Sequence, residues 1–175
     1  MIDSFKIDEE KSNQVLLWII TKFGGKIDFH KLFKILYFAE QKHLTRYGRP
    51  IIGDKFIAMK DGPVPSEIYY QLKKIRQIKL NKYFSIENWF YVVALREVDL
   101  EELAVSEINC LKESFEENKD LSHQKLSEKS HQSAWRKANS EDNEMSFLEI
   151  AKEGGANEEI LKYITINLEN QKLSF

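Results

Sequence analysis

With 175 residues and a mass of 20.6 kDa, 42% of them hydrophobic and 12% aromatic, the chain has material for one apolar core and too few residues for two large domains. Three Pro and seven Gly exclude a collagen-like composition, and the aromatic content argues against disorder. The net charge of −2 hides an asymmetry, since residues 1–95 carry 16 Lys and Arg against 10 Asp and Glu while residues 96–175 carry 10 against 18.

The start, Met1-Ile2-Asp3-Ser4, lacks a signal-peptide profile. The longest apolar run, residues 15–20, is far short of the roughly 18 to 20 residues of a membrane span, so no membrane contact and a cytoplasmic location are expected. The single cysteine, Cys110, has no internal disulfide partner and fits a reducing compartment.

Ser12 is placed to cap a first helix with Val15, Leu16, Ile19, Ile20 and Phe23 at helical spacing, ended by Gly24-Gly25. Asp28 opens a second, from Phe29 to about Arg46, whose apolar residues point nearly all round and mark it as central. Gly48-Arg49-Pro50 breaks it, and the run 55–60 reads as a short strand. Asp61-Gly62-Pro63-Val64-Pro65 reads as a rigid, shaped loop. A third helix starts at Pro65 or Ser66, with Ile68, Leu72 and Ile75 as its apolar stripe and a basic far end.

Tyr83 to Ile86 and Trp89 to Leu95 read as strands around a two-residue turn at Glu87-Asn88, and with 55–60 they are expected to form one small sheet. From Asp99 a helix with an acidic outer face carries the stripe Leu100, Ala104, Ile108, Leu111 and Phe115. Helices are expected at 122–129 and 131–138, then a loop at 139–144. Ser146 and Asn157 cap two further helices, which make up a C-terminal helical extension, 146–175. The fold class is mainly α with a small antiparallel β element, in a single compact domain spanning 1–175.

Chemical signatures are sparse. His30, His43, His123 and His131 form neither HExxH nor any pattern with a CxxC, so no metal and no cofactor are expected. Elbow-serine, P-loop and dinucleotide motifs are absent. Tyr37, Glu40 and His43 share a helix face as a conceivable acid/base cluster, against the plainer reading of a solvent edge beside a core aromatic. Lys73, Lys74, Arg76, Lys79 and Lys82 beside Tyr83 and Phe84 suggest nucleic-acid contact, but a pI near 6.1 makes that stripe a local feature, better suited to solvent or to an acidic protein partner. His131 and Trp135, four apart, are expected to lie together, either anchoring a helix against the sheet or forming a recognition pocket beside the 61–65 loop.

The blocks Lys31-Leu32-Phe33-Lys34-Ile35-Leu36-Tyr37, Tyr47-Gly48-Arg49-Pro50-Ile51, Asp61-Gly62-Pro63-Val64-Pro65-Ser66-Glu67-Ile68-Tyr69, and Leu126-Ser127 through His131 to Ala134-Trp135 resemble the Panacea domain, also called the SocA-like antitoxin domain, over about 15–138. The resemblance implies a mostly helical domain with a small β element, of a kind found in bacteria and their phages. Its characterised members are antitoxins that neutralise a protein toxin encoded beside them, and one type delivers its toxin to an ATP-dependent protease. Family residues fall here on Lys31, Leu32, Tyr37, Asp61, Gly62, Pro63, Val64, His131 and Trp135, and no catalytic role is carried over with them.

The leading expectation is therefore a non-enzymatic interaction protein of a toxin-antitoxin system, whose partner is a cognate toxin. Its basic first half or the acidic helix 100–118 would supply charge complementarity, with Tyr69, Tyr70 or Trp89 as anchors. Partner-binding or motif residues are Lys31, Tyr37, Asp61, Gly62, Pro63, Val64, Pro65, Tyr69, His131 and Trp135. The alternatives are an enzyme with a pocket around Tyr37, Asp61 and His131, and a nucleic-acid-binding protein.

Overall fold

A computed structural model describes residues 5–173, with eight α-helices and five short strands among them. Helix α1 (Glu9–Lys22) is capped by Asp8, whose carboxylate accepts the Lys11 N–H at 3.0 Å. That cap lies four residues before Ser12, which is inside the helix and donates its hydroxyl back to the Asp8 carbonyl at 2.6 Å. Gly24 and Gly25, both at positive φ, turn the chain into β1 (Lys26–Asp28), a strand too short to leave a periodic signature.

Helix α2 (Phe29–Tyr47) is capped by Asp28 as expected and occupies the centre, buried on most sides. Strands β2 (Phe56–Met59) and β3 (Gly62–Pro65) form their own antiparallel hairpin, with Ile57 opposite Val64 and Met59 opposite Gly62. The stretch expected to be a loop is thus largely a strand, turned at Lys60-Asp61. Prolines lack an N–H, and with Pro63 and Pro65 opposite Ala58 and Phe56 the ladder runs through Gly62 and Val64. The outer edge of β2 is covered by residues 143–145, through Ala58 N to Asn143 O at 2.8 Å and Met145 N to Phe56 O at 2.9 Å.

Helix α3 (Ser66–Ile78) follows without a side-chain cap of its own, and the buried carboxylate of Asp54 supplies one by accepting from the Glu67 and Ile68 N–H groups. Strands β4 (Phe84–Glu87) and β5 (Tyr91–Ala94) pair with β1 in the order β1-β5-β4. The expected single sheet with 55–60 is therefore two separate sheets. The β4–β5 turn is Asn88-Trp89-Phe90 rather than Glu87-Asn88, and both Asn88 and Trp89 have left-handed φ, +47° and +67°.

The helix expected from Asp99 is a single 3₁₀ turn, Leu100–Glu102, and then α4 (Val105–Asn118), separated at Leu103-Ala104. Glu107 reaches back to accept the Ala104 N–H at 2.8 Å, which fixes the true start, and Leu100 is left exposed, outside the stripe. Helices α5 (His123–Ser130) and α6 (Ser133–Asn139) leave His131 and Gln132 between them, so His131 caps α5 and is not within a helix with Trp135. Helices α7 (Phe147–Glu153) and α8 (Glu158–Lys172) have the expected Ser146 and Asn157 caps. Phe147, Ile150, Ala151, Ile164 and Leu168 join the same contiguous core as α1, α2 and both sheets, so the C-terminal helices are built into the body. No helix among the described residues is long and apolar enough to cross a membrane.

Candidate functional site

The N-terminal turns of α2, the β2–β3 hairpin, the start of α3, the β4–β5 turn and the start of α5 surround a cleft of about 590 Å³. Its walls are mostly apolar and aromatic, from Phe29, Phe33, Tyr69, Val64, Met59 and Phe90, with His30, His123, Lys34 and Asp61 among them. This is the usual chemistry of a binding pocket, in which apolar area supplies affinity and a few polar groups fix orientation.

Gly62 makes the hairpin fit. At φ +106° it adopts a backbone that L side chains avoid, and a Cβ there would come within 2.6 Å of Lys34 Cε and closer still to Ser130 Oγ. Lys34 is 1% exposed and donates from Nζ to the Pro63 carbonyl at 2.9 Å. Burial holds its ammonium down to about 7, against the opposing pull of Asp61.

The rings of His30 and His123 stack with centroids 3.6 Å apart. His30 Nε2 lies 3.0 Å from Ser127 Oγ and 3.2 Å from the Asp61 carbonyl, to which Ser127 Oγ also donates at 3.0 Å. These bonds tie the hairpin turn to α5. Burial, reinforced by the positive charge of Lys34, pushes His30 down to about 4, so its ring is neutral at physiological pH. Ser127 is spent on the turn, and among the described residues no third group orients the pair as a nucleophilic triad requires.

Of the sequence-derived residues, Asp61, Gly62, Val64 and Tyr69 line the cleft. Pro63 accepts from Lys34, and Pro65 leads into α3 opposite Phe56. Lys31 lies elsewhere, donating to the Lys119 carbonyl at 2.8 Å and tying α2 to the end of α4. His131 and Trp135 do lie together, centroids 3.9 Å apart, and the indole N–H donates to the Met59 carbonyl at 3.0 Å. They anchor α6 against the β2–β3 hairpin, outside the cleft walls, and burial lowers the His131 pKa.

The pocket imagined around Tyr37, Asp61 and His131 is not formed. Tyr37 is wholly buried against Phe38 and Phe56, its hydroxyl has no acceptor among the described residues, and only Asp61 of the three reaches the cleft. Neither is there a solvent edge at Glu40 and His43, both of which are buried. Glu40 accepts the N–H groups of Ile51 and Ile52 at 2.6 and 2.9 Å, while His43 Nδ1 lies 2.7 Å from the Arg49 carbonyl, so both hold the 49–52 loop. Burial outweighs those bonds and raises Glu40 to about 7.

The basic stripe also differs from a stacking platform. Tyr83 and Phe84 are buried, with Tyr83 Oη donating to Glu10 at 2.7 Å. Trp89 and Phe90, at the turn tip, are 65% and 63% exposed, and Tyr70 is 54% exposed. Sequence reasoning passed over Lys34, Phe33, Phe90, Ser127 and the His30–His123 stack. The two histidines are remote in sequence, and no local pattern joins them. Among the described residues no three His, Cys, Asp or Glu side chains converge as a metal site would require.

The family model described as Antitoxin SocA-like, Panacea domain, matches residues 32–136. That span contains most of the cleft and its hairpin. No curated protein and no solved structure matches the chain.

Proposed function

The chain belongs to the family of SocA-like antitoxins with the Panacea domain, which supports a general antitoxin role, and from that premise we propose that it neutralises a cognate protein toxin by binding it directly. The observation that carries this reading is exposed apolar and aromatic area at the cleft and next to it in the chain: Phe90 and Met59 line the cleft and are exposed, Trp89 stands exposed before Phe90 at the turn tip, and Tyr70 stands exposed after the cleft residue Tyr69 on α3. Aromatic residues, Met and Arg are the types enriched at protein interfaces, and large exposed apolar side chains grouped around a pocket supply anchors and hot spots. The rigid hairpin fixes one wall, so little ordering entropy opposes docking there.

The test is co-expression. The product of the adjacent open reading frame is induced in bacteria alone and then with this chain, while growth and co-purification are followed. Toxicity relieved with recovery of a stable complex is the expected result, and Trp89→Ala with Phe90→Ala should weaken both. A harmless neighbour that does not bind would refute the reading. Relief accompanied by loss of the toxin, abolished in cells lacking an ATP-dependent protease, would make the chain an adaptor for delivery.

A further inference from the structure

Resting on that reading of the chain as a toxin-binding protein, we propose that the face built by α3 and the β4–β5 turn recognises an acidic segment of the protein partner that also carries an aromatic or branched apolar side chain. The first observation is charge left without a partner. Lys73, Lys74 and Arg76 on α3 and Lys79 just after it stand against one carboxylate on that helix, Glu67. None of these four cations has a carboxylate within 4.0 Å among the described residues, whereas Lys11, Lys26, Lys42, Arg46 and Lys55 are all paired within that distance. Like charges at one and two turns' spacing repel, and an acidic partner relieves that repulsion as it docks.

The second observation is how the cations are held. Lys73 lies over the Tyr69 ring at 5.2 Å, Lys74 over Tyr70 at 4.6 Å and Arg76 over Trp89 at 4.9 Å, so charge and aromatic area alternate across one surface. Arg76 Nη1 donates to the Trp89 carbonyl at 3.2 Å, while its Nε is buried without an acceptor among the described residues. That bond steadies Trp89 in a left-handed conformation that is strained for a bulky residue. Strain retained at an exposed indole is the expected arrangement where the side chain must be presented rather than buried.

The third observation selects the partner's chemistry. Ile78 and Leu80, exposed at the far end of α3 and grouped with Lys74, add apolar area that suits peptide side chains. The Tyr83 and Phe84 rings that would stack on nucleobases are buried, and the carboxylate of Glu10 lies near Lys82 and Arg96 at the same end.

The full chain is titrated, by fluorescence anisotropy, into three labelled probes: a short peptide with a Trp-Leu pair flanked by glutamates, the same peptide with glutamines, and oligo(dT) of equal charge. Binding of the glutamate peptide is expected, weakening with salt and weakening roughly tenfold in Lys73→Glu with Lys74→Glu. Those lysines are in no ion pair, so that variant should fold, and unchanged circular dichroism checks it. Trp89→Ala should weaken the same peptide without altering its salt dependence. Equal binding of the glutamine peptide, tighter binding of oligo(dT), or no binding of the glutamate peptide would each overturn the proposal. In co-expression, full neutralisation by the charge-reversed variant would sink this proposal and leave toxin binding standing. Peptide binding beside a harmless neighbour would do the reverse.

Discussion

Replacing Gly62 by alanine tests whether the β2–β3 hairpin is held against α2 as tightly as the geometry implies. Two costs add. The residue has φ +106°, and forcing an L side chain into positive φ costs about 1–2 kcal/mol. The new methyl would also lie 2.6 Å from Lys34 Cε and 3.1 Å from Lys34 Nζ, and closer to Ser130 Oγ. Neither neighbour is a free surface end, because Lys34 is bonded to Pro63 O and Ser130 is buried with its hydroxyl on the Ser127 carbonyl at 2.9 Å. Overpacking of this kind costs about 1–3 kcal/mol, so the total expected loss is about 2–5 kcal/mol.

Gly155→Ala is the control. Its φ is +90°, but nothing lies within 4 Å of the added atom, so it should lose only the backbone cost of about 1–2 kcal/mol. Urea unfolding of both variants, read as a change in midpoint at constant slope, separates the two costs. Equal losses, or a smaller loss for Gly62→Ala, would refute the packing of Gly62 on Lys34 and Ser130.

Three further outcomes follow from polar groups that tie separate parts of the fold together. Lys34 is held down to about 7 in the folded chain against 10.5 when free, so the unfolded chain binds the extra proton between those values and stability should rise with pH across that window, by up to about 1.4 kcal/mol per unit. Lys34→Met should flatten that slope, and identical slopes for both proteins would contradict the burial. Glu40 is raised from 4.5 to about 7, so its contribution is complete below 4.5 and lost as pH rises through 7. Glu40→Gln should remove that fall and cost about 1–3 kcal/mol through the unmet N–H of Ile51 or Ile52, measured by unfolding at pH 5 and 7.5. Trp135→Phe keeps the ring beside His131 but deletes the bond to the Met59 carbonyl, for about 0.5–1.5 kcal/mol in thermal unfolding, and an unchanged midpoint would show that α6 is anchored otherwise.

Much of the architecture is legible residue by residue. The Asp28, Ser146 and Asn157 caps and the all-round apolar surface of α2 mark helices correctly because caps and periodicity act within a few residues of chain. Errors arise where a distant group takes over a local role. Asp54 caps α3 from twelve residues before Ser66, and residues 143–145 cover the edge of β2 that was expected to join β4 and β5. The candidate site divides the same way. Asp61, Gly62, Val64 and Tyr69 reach the cleft, while Tyr37, expected beside them, is turned into the core.

By itself, then, the sequence determined the order of the helices, the central place of α2 and, through its motif blocks, the family to which the chain belongs. Only the tertiary structure decided that His30 stacks on His123, that Lys34 is buried under Gly62, and that Lys73, Lys74 and Arg76 of α3 face rings while Lys11 of α1 and Lys42 and Arg46 of α2 find carboxylates. Hydrogen-bond capping and helical periodicity are short-range in sequence, whereas burial, ring stacking and ion pairing depend on which surfaces the folded chain brings together.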